Sequence, residues 1–177
     1  MDIVISKIMD SDKDDVLRIY SQGIETNLAT FETKCPTWES WKETHMNTGR
    51  IVAKVDGIVV GFAALMRVSQ REAYAGVVEI SVYVDENKKH MGIGFALLNK
   101  LIEIADNNGL WTLQGTILEE NEASIQLHEK CGFRKVGYRF MIGKDKFGLW
   151  RNTVLMERRS KKIGFEGCDG SCCHMKN

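Results

Sequence analysis

Proline is almost missing from this chain. Pro36 is the only one in 177 residues, so few breaks are forced and most of the backbone is free to enter regular structure. Net charge is missing as well. The 24 lysines and arginines are matched by 24 aspartates and glutamates, with a pI near 6.9, which argues against a broad nucleic-acid face and against a membrane-surface role. No apolar run approaches the ~20 residues that span a bilayer. The N-terminus lacks a signal-peptide pattern, so the expected location is cytoplasmic. Cysteine is scarce, odd in number at five, and unevenly spread, which does not suit a secreted disulfide framework. Cys35 and Cys131 are read as small buried or half-buried apolar residues. The length suits one domain with a sizeable core. Residues 1–159 are expected to form it, and residues 160–177 to form a flexible tail.

What is present is a clear alternation of patterns. Val4 to Lys7 reads as a strand, and Asp12 opens a helix whose Val16, Leu17, Tyr20, Ile24 and Leu28 recur at helical spacing. Thr37 is placed to cap a second helix carrying Trp38 and Trp41. Arg50 to Val68, broken by Asp56-Gly57, reads as a β-hairpin. Val77 to Val84 is a strand with Val78, Ile80, Val82 and Val84 on one face and Glu79, Ser81 and Tyr83 on the other. The helix after Gly92 is expected to bury Leu97, Leu98, Leu101, Ile102 and Ala105 and to stop at Asn107-Asn108-Gly109. Leu110 to Leu118 is a strand, Ala123 to Lys130 a short helix, and Arg134 to Gly143 with Leu149 to Arg158 a closing antiparallel pair. Mostly antiparallel strands with helices between them give an α+β or mixed α/β sandwich.

The segment Lys88-Lys89-His90-Met91-Gly92-Ile93-Gly94 joins the strand ending at Val84 to the following helix. A glycine turn at a helix start aims several N–H groups at one spot, which suits an anion. Neither a P-loop ending nor a full dinucleotide fingerprint is present. With Lys88, Lys89 and His90 on the loop, a ligand with several phosphates is the expected guest; a solvated charge cluster is the alternative.

This loop resembles the acetyl-CoA pyrophosphate loop of the GNAT acyltransferases, with Lys89 standing where the family carries Gln or Arg. Ile24-Glu25-Thr26 with Phe31, Glu79 to Val84, Asn121-Glu122-Ala123-Ser124 with His128 to Phe133, and Phe147-Gly148-Leu149-Trp150 resemble, in order and spacing, the phosphinothricin N-acetyltransferase branch, which includes methionine sulfoximine and arsinothricin acetyltransferases. The similarity spans about residues 3 to 158. It implies a mixed sheet whose central strands splay apart around an acyl-CoA chain, and an enzyme that acetylates the α-amino group of a small glutamate-like amino acid, giving resistance. It also implies a homodimer, no nucleic acid or membrane partner, and no required metal.

The resemblance assigns Glu79 as the general base, where the strand pattern alone reads it as solvent-facing. His128 matches a histidine that assists catalysis; a structural histidine is the alternative. Lys89, His90, Met91, Gly92, Ile93 and Gly94, the backbone of Val82 and Val84, and the side chains of Asn121 and Ser124 match the cofactor contacts. Asn121 would serve equally as a helix cap. Phe31, Arg67, Arg71 and Tyr74 are the expected acceptor contacts, because arginine binds a carboxylate through a two-pronged pair. Ser69 and Asn152 depart from the basic and acidic residues common at those places. Competing readings are acetylation of a protein N-terminus or a polyamine, and a non-catalytic acyl-CoA or metalloid module. The last draws on Cys168, Cys172 and Cys173, whose spacing is not a standard zinc pattern.

Overall fold

The computed structural model describes residues 2–164. In chain order the elements are β1 (Val4–Lys7), α1 (Lys13–Glu25), α2 (Trp38–Thr44), β2 (Ile51–Val55), β3 (Ile58–Arg67), β4 (Val77–Val84), α3 (Ile93–Asn107), β5 (Thr112–Leu118), α4 (Glu122–Lys130), β6 (Arg134–Lys144) and β7 (Trp150–Arg159). One seven-stranded sheet runs in the order β1-β2-β3-β4-β5-β7-β6. Every pairing is antiparallel except β4 with β5. The fold is the expected mixed α/β one.

Local chemistry explains most boundaries. The β2–β3 turn works because Asp56 and Gly57 both take left-handed backbone angles, φ 51° and 80°, which match the twist of a tight hairpin. Thr37 caps α2 by accepting from the amide of Ser40. Gly92 at φ 77° turns the chain into α3.

The sheet is covered on both faces. On one, α3 inserts Leu97, Leu98, Leu101, Ile102 and Ala105 against Ala63, Leu65, Val78 and Ile80. On the other, Val16 and Ile19 of α1 and Trp38 and Trp41 of α2 pack on Val52, Phe62 and Ala64. The helical stripe of α1 differs from expectation at its end. Asn27, at φ 54°, turns the chain out of the helix, so Leu28 is exposed and Ile19 takes the buried place. Cys131 is buried as expected, but Cys35 is exposed because it lies on the loop before α2. No helix among the described residues is long and apolar enough to cross a membrane.

Candidate active site

The sheet is open in its middle. Strands β4 and β5 pair only at Val77–Thr112, Val78–Leu113 and Glu79–Gln114, although β4 runs on to Val84 and β5 to Leu118. Past Glu79 the two diverge, β4 staying with β3 and β5 with β7. Alternation then decides which backbone groups are left over. Asp85 donates to Val60 and Val77 accepts from Val68, so odd-numbered residues of β4 face β3. The N–H and C=O of Val82 and Val84 therefore face the gap with no strand to receive them.

At the wide end of the gap sits the glycine loop. His90 at φ 63° and Gly92 at φ 77° are both left-handed, a backbone curl that converges N–H groups. The first intrahelical bond of α3 runs from Ala96 to Gly92, which leaves the amides of Ile93, Gly94 and Phe95 without helical acceptors. A Cβ at Gly94 would press within 3.2 Å of Leu127. Asp85 sets the loop's approach: its carboxylate accepts from Arg18 at 2.6 Å and from the Asn87 amide at 2.9 Å. An outer cavity of about 560 Å³ runs from Lys88, Lys89, His90, Gly92 and Gly94 along Val82 and Val84 to Asn121 and Ser124.

An inner cavity of about 420 Å³ continues past the same Val82, Asn121 and Ser124 to Glu79 and His128. Glu79 is half-buried, and its side chain has no hydrogen-bond or ion-pair partner among the described residues. His128 is 5 % exposed. Its Nδ1 lies 2.7 Å from the Ser124 carbonyl, which only accepts, so Nδ1 carries the proton. The lone pair is thereby left on Nε2, on the side of Gly115, where a Cβ would come within 3.1 Å. Burial lowers the His128 pKa below its usual 6.5, so the neutral ring is the form at neutral pH.

With this geometry in view, comparison with known proteins is decisive at the family level. The Acetyltransferase (GNAT) family model matches residues 15–133. The chain belongs to the GNAT acetyltransferase family. A methionine sulfoximine/methionine sulfone acetyltransferase of Pseudomonas aeruginosa is 30% identical over 80% of this chain and 86% of its own. A GNAT phosphinothricin acetyltransferase of Sinorhizobium meliloti, solved with acetyl-CoA, superposes with a TM-score of 0.82 at 27% identity over 90% of this chain and 89% of that one. A ribosomal-protein-alanine N-acetyltransferase of Brucella melitensis does so at 0.82 and 31% identity, over 89% and 99% of the two chains.

Within this GNAT frame the expected site residues divide. Glu79, His128, Phe31, Asn121 and Ser124 border the inner cavity, and Lys89, His90, Gly92, Ile93 and Gly94 the outer one. Met91 lies on the same loop but is exposed and lines neither. Both ends of the Asn121 amide are already engaged: Oδ1 caps α4 through Ser124 and Nδ2 donates to the Leu28 carbonyl at 3.0 Å. Arg71 and Tyr74 line a separate groove, shared with Val77, Thr112 and Gln114, because the loop after β3 turns outward through a short 3-10 segment at Glu72–Tyr74. Val77 lies two residues from Glu79 on the same face, so the groove adjoins the inner cavity. Arg67 donates to the Ala75 carbonyl and lines neither space.

Sequence reasoning missed several of the cavity's own residues. Trp41 and Thr44 of α2, His45 at its C-terminal cap and Thr153 of β7 all border it. His45 stacks on Trp41, with centroids 4.3 Å apart, and burial lowers its pKa. The hydroxyl of Thr153 is fully buried without a partner. Helical periodicity marks Trp41 as core, and nothing local marks His45 or Thr153. No group of three or more metal-ligating side chains occurs among the described residues. Cys168, Cys172 and Cys173 lie outside them.

Proposed function

We propose that this GNAT enzyme takes an acetyl group from acetyl-CoA and places it on the α-amino group of a small glutamate-like amino acid, of the phosphinothricin, methionine sulfoximine or arsinothricin kind. Capping that amine removes a charge the compound's target recognises, which would give resistance. One observation carries the reading: a single cleft leads from the unpaired amides at the start of α3, along the unpaired edge of β4, to Glu79 and His128.

Acetyl-CoA supplies a thioester as the activated acyl donor. The chain's residues do the rest. The amides of Ile93, Gly94 and Phe95, with Lys89 and His90, would hold the pyrophosphate. The backbone of Val82 and Val84 would pair with the pantetheine amides as a neighbouring strand would, and Ser124 lies at the junction of the two cavities. An acceptor ammonium must lose a proton before it attacks, and the unpartnered carboxylate of Glu79 is there to take it, directly or through water. The Nε2 lone pair of His128 is a second acceptor for that proton.

A glutamate-like acceptor with its amine at Glu79 would extend its acidic end toward Arg71 and Tyr74 in the adjoining groove. A second reading also has an observation behind it. The inner cavity is lined by the acidic Glu32 and Glu79 and by two histidines whose pKa burial lowers, with no lysine or arginine, which suits a polyamine; the Brucella relative adds a protein N-terminus to the acceptors worth testing. The test is CoA release from acetyl-CoA with phosphinothricin, methionine sulfoximine, arsinothricin, common amino acids, spermidine and a peptide amine. Turnover confined to the glutamate-like compounds, with Arg71→Ala raising their KM, supports the first reading; turnover on spermidine alone replaces it.

A homodimer belongs to the proposal. Strand β6 is an eleven-residue sheet edge with Val136, Tyr138, Phe140 and Ile142 exposed, and such an edge is covered in stable assemblies. A cytoplasmic location goes with the use of acetyl-CoA.

A further inference from the structure

Asp145 sits in the turn between β6 and β7, lines neither cavity and is 6 % exposed. Its Oδ1 closes the turn by accepting from the amides of Phe147 and Leu149 at 2.9 and 3.0 Å. Its Oδ2 accepts from Arg151 Nη1 and from Asn27 Nδ2, each at 2.9 Å. The hydrogen bond from Asn27, together with those of Arg151 and the two amides, holds the carboxyl at about 2, so it is charged at any working pH.

Asn27 is where the chain leaves α1. The five residues after it, Leu28, Ala29, Thr30, Phe31 and Glu32, wall the inner cavity. That wall has little order of its own. No helix or strand occurs between Glu25 and Trp38, and its local hydrogen bonds are the short turns that Thr26 and Thr30 make with Leu28 and Glu32. Most of what fixes it comes from outside. Lys146 donates to the Glu25 carbonyl at 2.9 Å, Asn121 to Leu28, and Phe31 lies against Gly143. Three of these ties, through Asp145, Lys146 and Gly143, come from the end of the β6–β7 hairpin. The Asp145–Asn27 pair lies where the wall begins, beside a longer hydrogen bond of 3.4 Å from Arg151 Nη1 to the Asn27 carbonyl.

We propose that Asp145 is a positioning residue for the acceptor: through Asn27 it sets the wall Leu28–Glu32 and so the placement of the amine over Glu79. This rests on reading the inner cavity as the acceptor's place. Asp145 itself touches no reacting atom. The pair holds neither the β4 edge nor the α3 loop; of the wall, Leu28 and Ala29 also border the outer cavity, whereas Thr30, Phe31 and Glu32 border the inner one alone, so the acceptor feels the change more than acetyl-CoA does.

The test uses whichever acceptor the wild-type enzyme turns over. Asn27→Gly removes the amide while tolerating the positive φ, and leaves the Asp145–Arg151 pair and the hairpin turn in place; Asp145→Asn cuts the link from the other side. Each is expected to raise the acceptor KM about tenfold while the acetyl-CoA KM stays within about threefold. The double variant is expected to add little to either single one, since both cut the same link. An unchanged acceptor KM in Asn27→Gly overturns the proposal, as do parallel rises in both KM values, or additive effects that track loss of thermal stability. If Asp145→Asn does not fold, Asn27→Gly alone decides. Failure of the cavity reading shows separately, as undiminished turnover by Glu79→Gln.

Discussion

The ring of Phe31 lies directly on the backbone of Gly143, so close that a Cβ on that glycine would come within 3.0 Å of Cε1. Gly143 lies in β6 and is not among the glycines with positive φ, so the glycine answers to the neighbour. Gly143→Ala is expected to push the ring a few tenths of an ångström into the inner cavity, raising the acceptor KM about two- to fivefold and leaving the acetyl-CoA KM unchanged. Steady-state kinetics with each substrate varied in turn check this; equal effects on both would count against Phe31 as an acceptor contact.

Glu79 combines half-burial with an unpartnered side chain at the end of the β4–β5 pairing. Replacing it by glutamine removes the base and keeps the shape. A fall in kcat of about 10²–10⁴ with the acetyl-CoA KM unchanged is the expected outcome. Gly115→Ala, which would cover His128 Nε2, should lower kcat without changing the base; intact kcat there would leave His128 a structural role.

Stability should depend on pH through two histidines, His128, which is buried, and His45, which is half-buried. Burial lowers the pKa of both His45 and His128 in the folded state below the unfolded value of 6.5. Below that value the unfolded chain binds more protons than the folded one, so the stability they contribute is present above about pH 6.5 and is lost as pH falls through it. The melting temperature should be flat from about pH 8 to 7 and decline toward pH 5, with a smaller decline in His45→Gln. Asp145 adds a loss of the same sign further down, between its usual 3.8 and about 2. A melting temperature constant between about pH 7 and 5 would show that neither ring is neutralised by folding.

Thr153 carries a hydroxyl that is buried without a partner. Thr153→Val keeps the shape and removes the desolvated group, so it should stabilise the fold by about 1 kcal/mol, or ~2–4 °C in Tm, with kcat unchanged. A raised acceptor KM in this variant would instead mean that the hydroxyl turns toward the acceptor during turnover.

Strand β4 and helix α3 could be read from the sequence because their apolar spacing coincides with burial: Val78 and Ile80 alternate inward, and Leu97, Leu98 and Leu101 follow the helical period. The Thr37 cap and the Asp56-Gly57 turn were legible for local reasons. Leu28 was not, since its helical spacing continues past Asn27, where the backbone turns left-handed. The placement of Arg67, Arg71 and Tyr74 was equally hidden, because it depends on the direction in which the loop after β3 leaves the sheet. That His45, which caps α2, and Thr153 of β7 share a cavity with Glu79 is a result of folding alone: neither has a local pattern that sets it apart.

The brevity of the β4–β5 pairing, three residue pairs in a sheet of seven strands, has a mechanical side. Few hydrogen bonds join the two leaves, β1 to β4 and β5 to β7, so the apolar core they share, Leu65 and Val78 with Leu113 and Met156, is what chiefly holds them at one angle. The width of the gap at Val82 and Val84 is then set by how far the leaves open, and a guest that bonds to both edges would lock the angle. Ligand occupancy should therefore stiffen the whole sheet, with the largest gain in amide protection along β5 and at the even-numbered positions of β4.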